Sequence, residues 1–257
     1  MIYDADTWIG HFPFQSLPRQ SAPDLVELMD RHGIDKALVG NLNGLLYKDA
    51  HEANHELHRA ITGLRDRLVP CAAINPMYFG WQRDLRQCRE QFGMPVVRML
   101  PDYHGYSFAE PCAAELVAEA HELGMCVALF WRMVDPRGRH RLDPGREANP
   151  ADVAEFIRRF PDTKFLLLNF RDVLPGPLDD APQRLYDIPL FVGDNGLRPG
   201  REFRKHNRAT FAFGTTMPLR SGAAAVLALE KARLDPDSLE AIQWKNLARF
   251  VPEMNGG

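Results

Sequence analysis

The sequence has no excess of basic charge: 31 Lys and Arg against 34 Asp and Glu leave a formal net charge of −3. A protein that grips nucleic acid over a broad surface does so by releasing counterions to Lys and Arg, so the balance argues against that class and leaves open only a local basic pocket. Long apolar runs are missing too. None approaches the roughly 18 residues of a membrane span, and Met1-Ile2-Tyr3-Asp4 lacks the basic and apolar blocks of a signal peptide. Cysteine is sparse, and Cys71, Cys88, Cys112 and Cys126 form no CxxC pair. The expectation is reduced, mostly buried thiols in a cytoplasmic protein. Phosphate-cradling glycine turns are absent: Asp6-Thr7-Trp8-Ile9-Gly10 is not GxGxxG, and no P-loop occurs. No GxSxG elbow is present, which removes the α/β-hydrolase reading.

What is present is an alternation of short apolar runs with longer amphipathic ones over 257 residues. The apolar runs Ile2–Asp6, Lys36–Gly40, Leu68–Ile74, Pro95–Leu100, Met125–Phe130, Lys164–Asn169, Ile188–Gly193 and Thr210–Gly214 read as strands buried on both faces of a parallel sheet. Helices are predicted at Ala22–His32, Ala50–Leu64, Trp81–Phe92, Ala109–Leu123, Pro150–Phe160, Pro177–Tyr186, Arg198–His206, Ser221–Arg233 and Pro236–Phe250. Several carry end signals, such as Asn149-Pro150 at a start and Gly33 or Gly124 at a stop. Eight β units with helices between them, and no strand with the alternating pattern of a sheet edge, predict an α/β fold of the closed (β/α)₈ type filling one domain over 1–257. The polar segment Val134–Ala148 is expected as a long loop on the face where such barrels keep their sites.

The opening Ile2-Tyr3-Asp4-Ala5-Asp6-Thr7-Trp8-Ile9-Gly10 is similar to the Ile-Asp-x-His-x-His-x-Gly opening of the amidohydrolase-2 family. His32-Gly33-Ile34-Asp35-Lys36-Ala37-Leu38-Val39 resembles its entry to the second strand. Ala53-Asn54-His55-Glu56-Leu57 and Asp66-Arg67-Leu68-Val69-Pro70 resemble its second helix and third strand. Gly214-Thr215-Thr216-Met217-Pro218 stands where the family writes Gly-Ser/Thr-Asp-x-Pro, and Lys245-Asn246-Leu247-Ala248-Arg249-Phe250 resembles its closing helix. The resemblance implies a divalent metal at the barrel mouth that lowers the pKa of a bound water and polarises a carbonyl. Carried over, the ligand places fall on Asp6 and Trp8, on Phe130 or Trp131, on Asn169 and on Thr216. Indole and phenyl rings have no lone pair for a metal, and one carboxylate cannot supply the three strong ligands such a site needs. No metal and no cofactor are therefore expected. His51, His55 and His58 share one helix face and are expected to be a solvated face on the outer ring; His11 and His104 are expected in mouth loops.

Residues at the C-terminal strand ends converge on one cavity in a barrel. Here they include Asp6, Trp8, Asn41, Asn43, Asn75, Tyr103, Trp131, Arg132, Asn169, Arg171, Asp194 and Thr216, with Arg98 inside the fourth strand and Arg220 just past the eighth. Arginine forks suit carboxylates. Arg98, in the apolar run Pro95-Val96-Val97-Arg98-Met99-Leu100, needs an anionic partner, either Asp6 or Asp194 within the chain or an acidic substrate. Asp6 and Asp194 are the catalytic candidates, Asp194 equally a turn residue in Gly193-Asp194-Asn195-Gly196. Trp8, Arg98, Trp131, Arg132, Asn169 and Thr216 are the substrate-binding candidates. Two functions fit: a metal-independent ester or lactone hydrolase, or a lyase, acting on a small carboxylated molecule; or a non-catalytic relative that binds a small acid or partners an active paralogue. No nucleic-acid or membrane partner is expected, and a homo-oligomer is compatible with the sequence.

Overall fold

A computed structural model describes residues 1–170, 174, 183–188 and 210–256. Eight parallel strands run in chain order: β1 Tyr3–Ile9, β2 Lys36–Asn41, β3 Leu68–Ala73, β4 Val96–Met99, β5 Cys126–Phe130, β6 Phe165–Leu168, β7 Arg184–Asp187 and β8 Phe211–Ala212. The sheet returns on itself, because Ala5 N–H donates to Phe213 O at 2.9 Å and Trp8 N–H to Met217 O at 2.8 Å, with a parallel bridge between Thr7 and Met217. Helices α1 Ala22–Arg31, α2 Ala50–Ala60, α3 Trp81–Glu90, the single turn α4 Pro101–His104, α5 Pro111–Glu122, α6 Pro150–Arg158 and α7 Gly222–Ala232 follow their strands; α8 Pro236–Glu240 and α9 Asn246–Phe250 close the chain with a wider turn, Ala241–Lys245, between them. No described helix is long and apolar enough to cross a membrane.

Period-two alternation divides the apolar residues into two cores. Leu38, Val69, Val96, Ala128, Leu166 and Leu185 fill the barrel interior. Their neighbours Val39, Val97, Val127, Leu167 and Tyr186 pack outward with helix residues such as Leu25, Leu57, Leu85 and Leu116. Arg98 lies between Val97 and Met99, both outward, so the pleat aims it inward. The same alternation in β5 sends Phe130 inward and Trp131 outward. In β1, Tyr3, Ala5 and Trp8 all reach the interior. The odd step from 5 to 8 is taken up by a register shift between Asp4 and Thr7, and Asp6 sits in it.

The closing segment seals the opposite, N-terminal end: Lys164 Nζ, just ahead of β6, donates to Phe250 O at 3.0 Å, and Lys36 Nζ, at the start of β2, to Gly256 O at 2.8 Å. One strand departs from expectation. The predicted helix Pro177–Tyr186 ends instead in β7, which pairs Phe165–Leu167 of β6 with Arg184–Tyr186. Leu185 faces in and Tyr186 out, an alternation a helix would scramble. Of the predicted seventh strand only Ile188 is described, beyond the end of β7; 189–193 and the predicted helix Arg198–His206 lie outside the described residues.

Candidate functional site at the strand tips

Five of the residues selected from sequence meet at the C-terminal mouth. Asp6 carries two contacts: Oδ1 lies 3.3 Å from Arg98 Nη2, and Oδ2 accepts a hydrogen bond from Asn169 Nδ2 at 3.3 Å. Thr216 Oγ1 donates to Asn169 Oδ1 at 2.9 Å, while Thr216 N–H donates to Asp6 O at 2.8 Å. Arg98 Cζ lies over the Trp8 ring, 4.0 Å from its centroid. Asn169 and Thr216 hold φ of 60° and 59°. A β-branched residue rarely accepts that left-handed conformation, so local strain is concentrated at the junction of β1, β6 and β8 and is held there by these hydrogen bonds.

Three side chains not selected from sequence complete the network. Asp4 Oδ1 accepts from Asp6 N–H and Thr215 N–H, both at 3.0 Å, and its Oδ2 contacts Thr215 Oγ1 at 2.6 Å. Asp187, at the tip of β7, accepts from Asn169 N–H at 2.6 Å through Oδ1, while its buried Oδ2 has no hydrogen-bond partner among the described residues. Gly214 makes room for it, since a Cβ there would come within 2.9 Å of Asp187 Cβ. Asp187 escaped the sequence reading because its strand was placed four residues late. Asp4 could have been found by the reasoning applied to Arg98: a charge in a doubly buried strand must have a partner.

Three fully buried carboxyls cannot all ionise together. Burial pushes Asp4 up to about 7, against the hydroxyl and N–H of Thr215 and the N–H of Asp6. Burial also raises Asp6, opposed by Arg98, the Thr216 hydroxyl, Arg220 and Asn169. Asp187 is raised well above the ordinary carboxylate value, first by burial and then by Asp6. The fixed cation Arg98 favours the charge on Asp6 and opposes the rise that burial causes there. Arg220, half-buried beyond β8, has its pKa lowered by burial and by Arg132, and among the described residues its buried Nη2 meets no hydrogen-bond acceptor. That guanidinium is the open valence of the site.

The other selected residues stand elsewhere. Trp131 faces the helix layer with Arg132 Cζ 4.6 Å from its ring. Arg132 is bound to Glu147 and, at 3.7 Å, to Asp135 of the loop after β5. Asp194 and Arg171 lie outside the described residues. Asn41 and Asn43 hold Glu56 of α2 at 3.0 and 2.7 Å. His11 is exposed, and buried His104 bridges to Gly44 O at 2.8 Å. The histidines of α2 are not the solvated face expected: His51 is buried, and all three rings pack on Phe92, with centroids 4.5 to 5.9 Å away. Beside the mouth, a cleft of about 500 Å³ opens between the turn after β4, the loop after β5 and α6, lined by Tyr106, Phe108, Phe130, Arg146, Phe156 and Arg159.

The residues at the family's ligand places do not fit a divalent metal. Asp6 is spoken for by Arg98 and by the N–H side of Asn169, and the Asn169 oxygen by Thr216. Among the described residues no group of three His, Cys, Asp or Glu side chains is placed to hold one.

Comparison with protein-family models and with curated proteins found no match. Among solved structures the chain is similar to an uncharacterized TIM-barrel protein from Bordetella bronchiseptica, at 13% identity over 99% of each chain and a TM-score of 0.73. It is also similar to a dihydroxybenzoic acid decarboxylase from Polaromonas with bound manganese and the inhibitor 2-nitroresorcinol, at 13% identity, over 100% of this chain and 98% of that one, with a TM-score of 0.70. A third similar structure is a probable 2-pyrone-4,6-dicarboxylic acid hydrolase from Acinetobacter baumannii with citric acid bound, at 13% identity, covering 98% of this chain and 99% of that one, with a TM-score of 0.68. Likeness at this identity establishes the barrel fold.

Proposed function

We propose that this chain is an amidohydrolase-related, metal-independent enzyme, a hydrolase of the ester or lactone type or a lyase, acting on a small carboxylated molecule as a single-domain cytoplasmic protein. The observation that carries the reading is the guanidinium nitrogen Nη2 of Arg220, which has no hydrogen-bond partner among the described residues and lies within electrostatic reach of Asp187, Asp135 and Asp6. A desolvated guanidinium nitrogen with no hydrogen-bond acceptor is a receptor for one. Support comes from the order of family-like phrases and from barrel neighbours whose names specify carboxylated compounds.

In this reading Arg220 holds a carboxylate of the substrate at the rim. Asp187, whose pKa burial raises well above the ordinary carboxylate value, offers a proton from its unpartnered Oδ2, as a general acid of raised pKa does. Asp6, held ionised by Arg98, receives one, and Asn169 and Thr216 fix its orientation. Turnover of a panel of small lactones, esters and aromatic or aliphatic acids tests this. Asp187→Asn should lower kcat by about 10²–10⁴-fold, and Arg220→Met should act mainly on KM for carboxylated substrates. Full activity in both variants removes the assignment.

A second reading has its own observation. Asp6, Trp8, Asn169 and Thr216 are all 1% exposed or less, so the old ligand places are closed to solvent. A non-catalytic relative, binding a small acid at Arg220 or partnering an active paralogue, would look the same. Saturable carboxylate binding without turnover, or a stable mixed complex with a metal-bearing homologue, would select it.

A further inference from the structure

The Arg98 side chain crosses the barrel interior into a cradle made for its shape. Nη1 donates to Thr7 O at 3.1 Å, and Nη2 reaches Leu38 O at 3.4 Å and Asp6 Oδ1 at 3.3 Å. The guanidinium carbon Cζ lies over the Trp8 ring, 4.0 Å from its centroid, with the Phe130 ring of β5 at 5.7 Å. Space for it is reserved by Gly40 of β2, where a Cβ would fall 2.6 Å from Arg98 Nη1 and 2.9 Å from Trp8 Cζ3. Two carbonyls, one carboxylate, one indole face and one missing side chain form a receptor for a planar cation, a geometry that suits a fork and not a spherical ion.

The two residues this cation joins, Asp6 and Trp8, stand where the resembled family carries its first-strand histidines. We infer that the Arg98 guanidinium is the resident cation of this barrel: a tethered, permanent positive charge that takes the place of the divalent ion and bars one from the strand tips. A metal entering beside Asp6 would have to displace a guanidinium buried against it, and among the described residues no three His, Cys, Asp or Glu side chains are placed to hold the ion. The Trp8 and Gly40 positions are then explained together, one as the flat wall of the cradle and the other as its clearance. The inference rests on the metal-independent part of the functional proposal and not on its catalytic part. Its test therefore reads binding and stability only, so absence of turnover leaves it standing.

The test uses the full chain, with Mn²⁺, Zn²⁺ and ethylguanidinium as probes. After incubation with either metal and dialysis, elemental analysis should find no metal, or the same amount in wild type and in Asp6→Asn. Arg98→Ala should melt below wild type, and its Tm should rise saturably with ethylguanidinium but not with ethylammonium at equal ionic strength. The ligand should bind Arg98→Ala at least about tenfold more tightly than Asp6→Asn/Arg98→Ala, which lacks the anionic wall. If Arg98→Ala collects as aggregate, refolding yield with the two additives replaces the melting curve, and only ethylguanidinium should raise it. One equivalent of metal that wild type holds and Asp6→Asn loses overturns the inference. So does an Arg98→Ala protein indifferent to ethylguanidinium.

Discussion

The sealed network at the strand tips and the open cleft beside it use the same residue types to opposite effect. In the network, Asp6 and Arg98 are 0% and 1% exposed, and every strand from β1 to β8 supplies a residue to it or to its wall, β3 through Cys71 beside Arg98. Along the cleft, Arg158 and Glu155 of α6 form a pair that is 55% and 70% exposed. A charge in water costs little to place and contributes little when paired. A charge withdrawn from water is held only by the groups that replace its hydration, so each partner becomes indispensable. What separates the regions is desolvation, and the difference can be attacked from either side.

The largest effect is expected from Arg98→Met, which strands the Asp6 charge in a dry site: a loss of about 3–5 kcal/mol in denaturant unfolding, most of it recovered in Asp6→Asn/Arg98→Met. If the single and double variants are equally unstable, the pair is not the organising contact. Gly40→Ala comes next, at about 1–3 kcal/mol, because the new Cβ meets Arg98 and Trp8. The cost should shrink in the Arg98→Met background, where the nearer obstacle is gone, and a double-mutant cycle measures that coupling.

Smaller in size, though clear in sign, is the pH response of Asp4. Its folded value of about 7 stands above the ordinary 3.8, so between those limits the folded protein holds the proton the unfolded chain has released. Stability from Asp4 is thus fully present below about pH 4, declines as pH rises towards 7 and is lost above it. Asp6 and Asp187, also raised, act in the same direction. Unfolding free energies of Asp4→Asn measured across pH 4–8 should therefore fall less steeply than those of wild type. An identical slope would mean that Asp4 is ionised in the fold from the outset. Smallest of all is Glu155→Gln on the cleft side, which should leave the unfolding midpoint unchanged within error. A marked drop there would erase the contrast between the regions.

How far the sequence carried the site depends on which periodicity was followed. Seven of the eight strands were legible as apolar runs, and within β4 the alternation of Val97, Arg98 and Met99 already aimed Arg98 at the axis. The same rule read through β5 places Trp131 outside, because it follows inward Phe130; grouping residues by nearness to a strand end hid that. β7 was obscured by the run Leu185-Tyr186-Asp187-Ile188-Pro189-Leu190-Phe191-Val192, whose apolar weight lies after Pro189 while the strand lies before it. With β7 misplaced, Asp187 could not be seen as a strand tip. The α2 histidines show the converse: their helical spacing was plain, but their burial depends on Phe92, just beyond α3, which no local pattern announces.

The sequence by itself determined the repeating strand–helix order, the inward turn of Arg98 and the poverty of metal-binding side chains at the strand ends, because each follows from side-chain chemistry and a period of two along one strand. Only the tertiary structure decided that Asp6, Asn169, Thr216, Asp187 and Arg98 share one dry volume. Those residues come from five separate strands or their tips, and their protonation and pairing arise from distances across the barrel that no stretch of chain contains.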